Sequence, residues 1–153
     1  MDHFAEQLNN LLVDTFRNIL KVEQELVQRS GTNLSISELH MLEAVGKDRI
    51  KGRTISDLAG DMDISPPSVT IAVNKLQNKG YVTKDKCEND GRVVYVKLTK
   101  LGSKTNAAHQ FFHQSLVRSL VKDLAPEEQQ AMYKGIVKLD EFFKKKLIGA
   151  EGK

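Results

Sequence analysis

Ser65-Pro66-Pro67-Ser68-Val69-Thr70-Ile71-Ala72-Val73-Asn74-Lys75-Leu76-Gln77-Asn78-Lys79-Gly80 is the stretch whose reading decides the rest. Ser65 suits a helix N-cap, because its hydroxyl can accept from a free first-turn amide, and Pro66 suits the next position, where no donor is needed. Val69, Ala72, Val73 and Leu76 recur at i, i+3, i+4 and i+7, which predicts one buried face. Pro67, Ser68, Thr70, Ile71, Asn74, Lys75 and Asn78 are left outside, and none of them is acidic. An uncrowded face of hydroxyl, amide and ammonium groups suits the major groove of DNA. There such groups meet base edges and phosphates, whereas acids are repelled.

Gly80, free to take positive φ, ends that helix. Tyr81 to Cys87 then alternates as a strand, and Val93 to Leu98 forms a second after the polar tip Glu88-Asn89-Asp90-Gly91-Arg92. The pattern predicts a β-hairpin. Asp90 and Arg92 stand two apart across Gly91, so the carboxylate can hold the guanidinium for a phosphate or the minor groove; an ordinary exposed turn with a surface ion pair fits equally well. Between Ser65 and Lys104 there are eight Lys and Arg against three acids, a net +5, while the whole chain carries only +3. Positive charge is thus gathered around the hairpin and helix, where it gains affinity by releasing counterions from DNA.

Outward from this segment, the 153 residues suffice for one domain with a real core. The 40% hydrophobic and 28% charged content fits a soluble protein. No segment is apolar enough to span a membrane, and Met1 to Glu6 lacks the pattern of a signal peptide, so a cytoplasmic location is expected. Cys87 is the only cysteine, which excludes an internal disulfide; nearby Lys84 and Lys86 make redox sensing there a minor reading.

Residues 4 to 29 form a helical pattern too apolar along one side for a lone surface helix. The first 46 residues hold three bases and seven acids, so this part is expected to face away from DNA. Ser30 to Asn33 is turn chemistry. Ser35 with Glu38, and Thr54 with Asp57, are caps with an acid three residues later; they introduce a helix to about Gly46 and a short helix before Asp61. Lys47 to Arg53 reads as a loop with room for a short strand beside the hairpin. The short helix and the one from Ser65 form a two-helix unit in which the first supports the second. Thr99 caps a long helix ending near Asp123, and Pro126-Glu127-Glu128 opens the last. Lys144-Lys145-Lys146 suits a helix C-terminus better than a DNA contact.

In this order, the Ser-Pro-Pro-Ser-Val-Thr helix, Asn74-Lys-Leu-Gln-Asn-Lys-Gly-Tyr-Val82, the Asp90-x-Arg92 tip and Leu98-Thr-Lys-Leu-Gly102 resemble the MarR family of winged helix-turn-helix regulators. The resemblance covers most of the chain. It implies a mainly α fold with a small β-hairpin wing, a single MarR-type domain over 1–153. Residues 34–103 would be the reading module, and 1–33 and 104–153 the dimerisation helices. Strongly apolar terminal helices are best hidden against a second copy, so a homodimer is expected, with two recognition helices ~34 Å apart on an inverted-repeat operator in double-stranded DNA. The DNA-binding set is Ser65, Pro66, Pro67, Ser68, Thr70, Ile71, Asn74, Lys75, Asp90 and Arg92.

His109 and His113 stand four apart on one helix, a spacing that can hold a metal. In the zinc-sensing branch of the family, ligands occur where this chain has His40, His109, His113 and Glu25. The branch that represses fatty-acid biosynthesis genes, the FabT-like proteins, is the closer resemblance. It is carried by Ser35 to His40, Ala44-Val-Gly-Lys47, Phe112-His113 and Met132 to Ile136. It implies a repressor whose effector is an acyl chain on an acyl carrier protein, with another small-molecule effector as the alternative. A hydrogen-bonded histidine cluster is the favoured reading of the histidines, and no metal or cofactor is assigned. Catalysis is not expected: the sequence has no phosphate loop, no nucleophile elbow and no His-Glu-x-x-His. A winged helix used only for protein association is the remaining rival, and the basic module argues against it.

Overall fold

The computed structural model describes residues 2–150, the last two by backbone alone; Met1 and residues 151–153 of the expected domain lie outside. The elements run α1 (His3–Arg29), α2 (Ile36–Val45), β1 (Arg53–Thr54), α3 (Ile55–Met62), α4 (Pro66–Asn78), β2 (Val82–Lys86), β3 (Val94–Leu98), α5 (Lys100–Val121) and α6 (Pro126–Ala150). Two compact units result, Met1–His109 and Gln110–Lys153. No helix among the described residues is long and apolar enough to cross a membrane.

In the first unit, helix starts follow the capping residues. Ser35 and Glu38 close a reciprocal box, with Glu38 N–H donating to Ser35 Oγ (3.2 Å) and Ser35 N–H to Glu38 Oε2 (2.8 Å). Thr54 and Asp57 do the same at 3.0 Å each way. A cap of this kind stabilises a helix by about 1 kcal/mol. The core packs Leu42, Val45, Leu58, Val69, Val73, Leu76 and Val96 at zero exposure, so α2, α3, α4 and the sheet share one apolar interior.

The sheet is antiparallel in the order β1-β3-β2: the expected hairpin, with the short strand beside it. Its strands are shorter than alternation suggests. Tyr81 belongs to the helix terminus instead, because its N–H donates to Leu76 O (2.9 Å) while Gly80, at φ +84°, donates to Gln77 O (3.0 Å). Val93 drops out because its N–H closes a turn onto Asp90 O (3.0 Å). Thr99 then ties three elements: its amide donates to Tyr81 O, its hydroxyl donates to Gly80 O and accepts from Gly102 N–H at the start of α5. Gly102 is required there, since a Cβ would run into the Tyr81 carbonyl.

Within the second unit, Ala125 N–H donates to Glu128 Oε2 (2.8 Å) at the start of α6, and Gln129 Nε2 donates to Val121 O and Leu124 O in the preceding turn. Lys144 pairs with Asp140 at 2.6 Å, which raises the lysine above its ordinary pKa.

Candidate nucleic-acid interface

Helix α4 is anchored from behind by Val69, Val73 and Leu76, all fully buried, with Ala72 partly buried beside them. Ser65, Pro66, Pro67, Ser68, Thr70, Ile71, Asn74 and Lys75 are all exposed, as the periodicity predicts. Their hydroxyls are organised. Ser65 Oγ accepts from Ser68 N–H (3.3 Å) and shares a hydrogen bond with Ser68 Oγ (2.8 Å), while Thr70 Oγ1 donates to Pro66 O (3.1 Å). Asn74 is held by Lys84, a residue outside the DNA-binding set: its Oδ1 accepts from Lys84 Nζ at 2.6 Å.

On α3, a charged knot ties that helix to β1 and to the segment after α2. Asp61 accepts from Lys47 Nζ and Arg53 Nη2, both at 2.9 Å, and Arg53 Nη1 reaches Ala44 O (3.2 Å). The Lys47 hydrogen bond, with Arg53 adding to it against a modest burial penalty, lowers the Asp61 pKa. Asp63 then takes a left-handed conformation (φ 53°), turning the chain from α3 towards α4.

The hairpin pairs Val82 with Leu98 through Lys86 with Val94, and the Cys87 N–H to Val93 O bond (2.9 Å) closes its end. At the tip, Asp90 Oδ1 accepts from the backbone N–H of Arg92 (3.0 Å). The carboxylate shapes the turn and leaves the guanidinium outward, in place of the side-chain ion pair that the spacing suggests. Arg92 is exposed and makes no ion pair among the described residues; the same holds for Lys75, Lys86, Lys100 and Lys104. Lys79, counted among the basic residues of the module, is structural. Its Nζ donates to Asn33 O (2.6 Å) and to Glu38 (2.9 Å), and although burial opposes it, this bond with the Ser35 cap lowers the Glu38 pKa.

A second cluster lies where α1, α2 and α5 meet within the first unit. His109 Nε2 stands 3.4 Å from Glu23 Oε1, His40 Nε2 3.7 Å from the same oxygen, and His109 Nδ1 3.6 Å from Glu43 Oε2. Glu23 and His109 are buried. The α1 acid brought to the histidines is Glu23, not the Glu25 that the resemblance to the zinc-sensing branch implies. Two residues along a helix is about 200° of rotation, so Glu25 points away and pairs with Arg29 at 3.8 Å. Glu23, His40 and His109 offer ligand atoms within 4.8 Å of one another. His113 falls in the second unit, its ring centroid 5.2 Å from that of Phe112.

Residues 34–94, the span from the turn before α2 to the start of β3, match the model of the MarR family. The chain is 31% identical over 144 residues to the HTH-type transcriptional regulator YwhA of Bacillus subtilis, covering 91% of this chain and 99% of that protein. It is 29% identical over 118 residues to the transcriptional regulator ZitR of Lactococcus lactis, covering 75% and 79%. Among solved structures it superposes on Streptococcus pneumoniae FabT in complex with DNA with a TM-score of 0.81 at 30% identity, over 92% of this chain and 98% of that one. The ordered, acid-free face of α4, the cationic hairpin and these likenesses agree: the chain belongs to the MarR family of winged helix-turn-helix transcriptional regulators, a family of DNA-binding proteins and not of enzymes.

Proposed function

We propose that this protein is a cytoplasmic repressor that binds an inverted-repeat operator as a homodimer and controls fatty-acid biosynthesis genes. The observation that carries the DNA-reading role is the exposed, acid-free face of α4, together with the exposed Arg92 at the hairpin tip. Ser68, Thr70, Asn74 and Lys75 meet the major groove and its phosphates, Pro66, Pro67 and Ile71 give apolar contact to thymine methyls, and Arg92 enters the minor groove. Residues 34–103 form the reading module; 1–33 and 104–153 hold the two copies together. The fatty-acid role is supported by the near full-length likeness to FabT, and it makes an acyl chain on its carrier protein the preferred effector, a small molecule the alternative. Either effector acts by favouring one spacing of the two recognition helices, since only differential affinity shifts a population.

The test is a role split. Arg92→Ala weakens binding across many sequences, whereas Asn74→Ala alters preference at particular bases. Equal, sequence-blind losses from both variants would contradict the assignment.

A zinc-responsive repressor is the second reading, favoured by the Glu23, His40 and His109 trio. Two donors each about 2.0–2.2 Å from a tetrahedral zinc stand ~3.3–3.6 Å apart, and two of the donor pairs here are at 3.4 and 3.7 Å. Two imidazoles and a carboxylate suit zinc, and bound there the ion would link α1 and α2 to α5. Operator binding measured with added zinc and then a chelator tests it; no change with either removes the metal reading.

A further inference from the structure

We propose that Lys84 is a positioning residue for sequence recognition: it fixes which way round the Asn74 amide lies, drawing Oδ1 towards the wing strand so that the side chain leads with its Nδ2 donors to DNA. The inference rests on the DNA-reading role proposed above for α4. Lys84 leaves β2 on the same side as buried Val82, two residues before it, and is itself half-buried. From there its ammonium crosses to α4 and donates to Asn74 Oδ1 at 2.6 Å. A lysine has donors and no acceptor, so chemistry alone requires that the amide oxygen, not the nitrogen, face it.

The consequence is a restriction on what Asn74 can read. An asparagine free to turn pairs bidentately with adenine, accepting from N6–H with Oδ1 while donating to N7 with Nδ2. Here the ammonium draws Oδ1 towards the wing strand and takes one of its two lone pairs, which opposes the turn that brings both amide groups onto the adenine edge. The Nδ2 group, which makes no hydrogen bond among the described residues, leads towards the base. Its two N–H donors match an edge that offers acceptors and no donor, which in the major groove is guanine, with O6 and N7, or thymine, with O4 alone; guanine offers the larger number of acceptors. Adenine offers N7 as one acceptor, but its N6 amino group is a donor and opposes an amide that leads with donors. Lys84 therefore turns a residue suited to adenine into one that favours guanine over adenine. It does so from the wing strand, so the hairpin contributes to base choice as well as to phosphate attraction.

The experiment is selection of binding sites from a randomised duplex pool by the full-length protein and by Asn74→Ala, Lys84→Met and Lys84→Arg. Methionine keeps the stem packed and removes the donor; arginine keeps a donor. The operator position read by Asn74 is the one at which Asn74→Ala flattens the preference. Wild type is expected to favour guanine over adenine there, Lys84→Met to shift the preference towards adenine by about tenfold, and Lys84→Arg to keep the wild-type order. A double variant Asn74→Ala, Lys84→Met is expected to match Asn74→Ala at that position. The inference is overturned if wild type already prefers adenine there, if no position is flattened by Asn74→Ala, or if Lys84→Met lowers binding to all sequences alike. That last result would make Lys84 a phosphate contact. Failure of wild type to enrich any sequence would instead remove the DNA-reading role itself, so the two failures are distinguishable.

Discussion

The reading module and the terminal helices use their apolar residues in opposite ways. In the module, Leu42, Val45, Leu58, Val69, Val73, Leu76 and Val96 are wholly buried within one chain. In α1 the only buried residue is Glu23, while Phe4, Leu11 and Phe16 are each about two-thirds exposed or more; in α6, Tyr133, Phe142, Phe143 and Leu147 all stand over half exposed. Exposed apolar stripes of this length on long helices mark a surface meant for a partner. The module's stability is thus carried by contacts made inside the chain. With the ends completed by a second copy, as proposed above, their stability would depend on concentration.

The sharpest break in that contrast is a deletion in the module's core. Leu76→Ala removes a fully buried side chain at the junction of α4 and the sheet, and is expected to lower unfolding free energy by about 2–5 kcal/mol in a denaturant titration. Next is Gly102→Ala, whose new methyl group meets the Tyr81 carbonyl, a backbone atom that yields only by moving the hairpin base. A loss of about 1–3 kcal/mol is expected by the same titration. Phe142→Ala acts on the other region. It should leave the module's unfolding curve in place and raise the dimer dissociation constant in sedimentation, and a fall in module stability as large as that of Leu76→Ala would erase the distinction drawn here.

Smaller again is the clasp between Lys79 and Glu38. The folded glutamate titrates below its ordinary value, so it contributes stability that is fully present above that ordinary pKa and is lost as pH falls through the lower folded one. Glu38→Gln removes this acid-side dependence and costs about 1 kcal/mol near neutral pH. Stability profiles of the two proteins should converge in acid and separate above it; parallel profiles would assign the acid sensitivity elsewhere.

How much of this was legible beforehand follows from the range of each interaction. The caps at Ser35, Thr54 and Ser65, the buried stripe of α4 and the Gly80 terminus are local, set by residues within a turn of one another, and the chain declares them directly. The hairpin register also follows from alternation. What escaped was long-range. Lys79 looks like any other lysine of a basic module, and only the approach of the turn before α2 and of α2's first turn gives it Asn33 and Glu38 as partners. Lys84 lies ten residues from Asn74, on a different type of element, and no spacing rule joins a strand lysine to a helix amide. At the histidine cluster, helical rotation separates Glu23 from Glu25, but which of them faces α2 depends on how α1 is rolled against it. Asp90 showed a subtler gap. The two-residue spacing to Arg92 signalled a contact, and the turn gave that contact to the backbone amide.

One measurement bears most directly on the central claim, that two copies joined by their ends present this acid-free helix and cationic wing to a duplex. Full-length protein is titrated into a selected inverted-repeat duplex at two salt concentrations, with stoichiometry read by sedimentation and affinity by fluorescence anisotropy. The account predicts two chains per duplex and an affinity that falls steeply as salt rises. A single chain bound at saturation, or binding indifferent to salt, would contradict it.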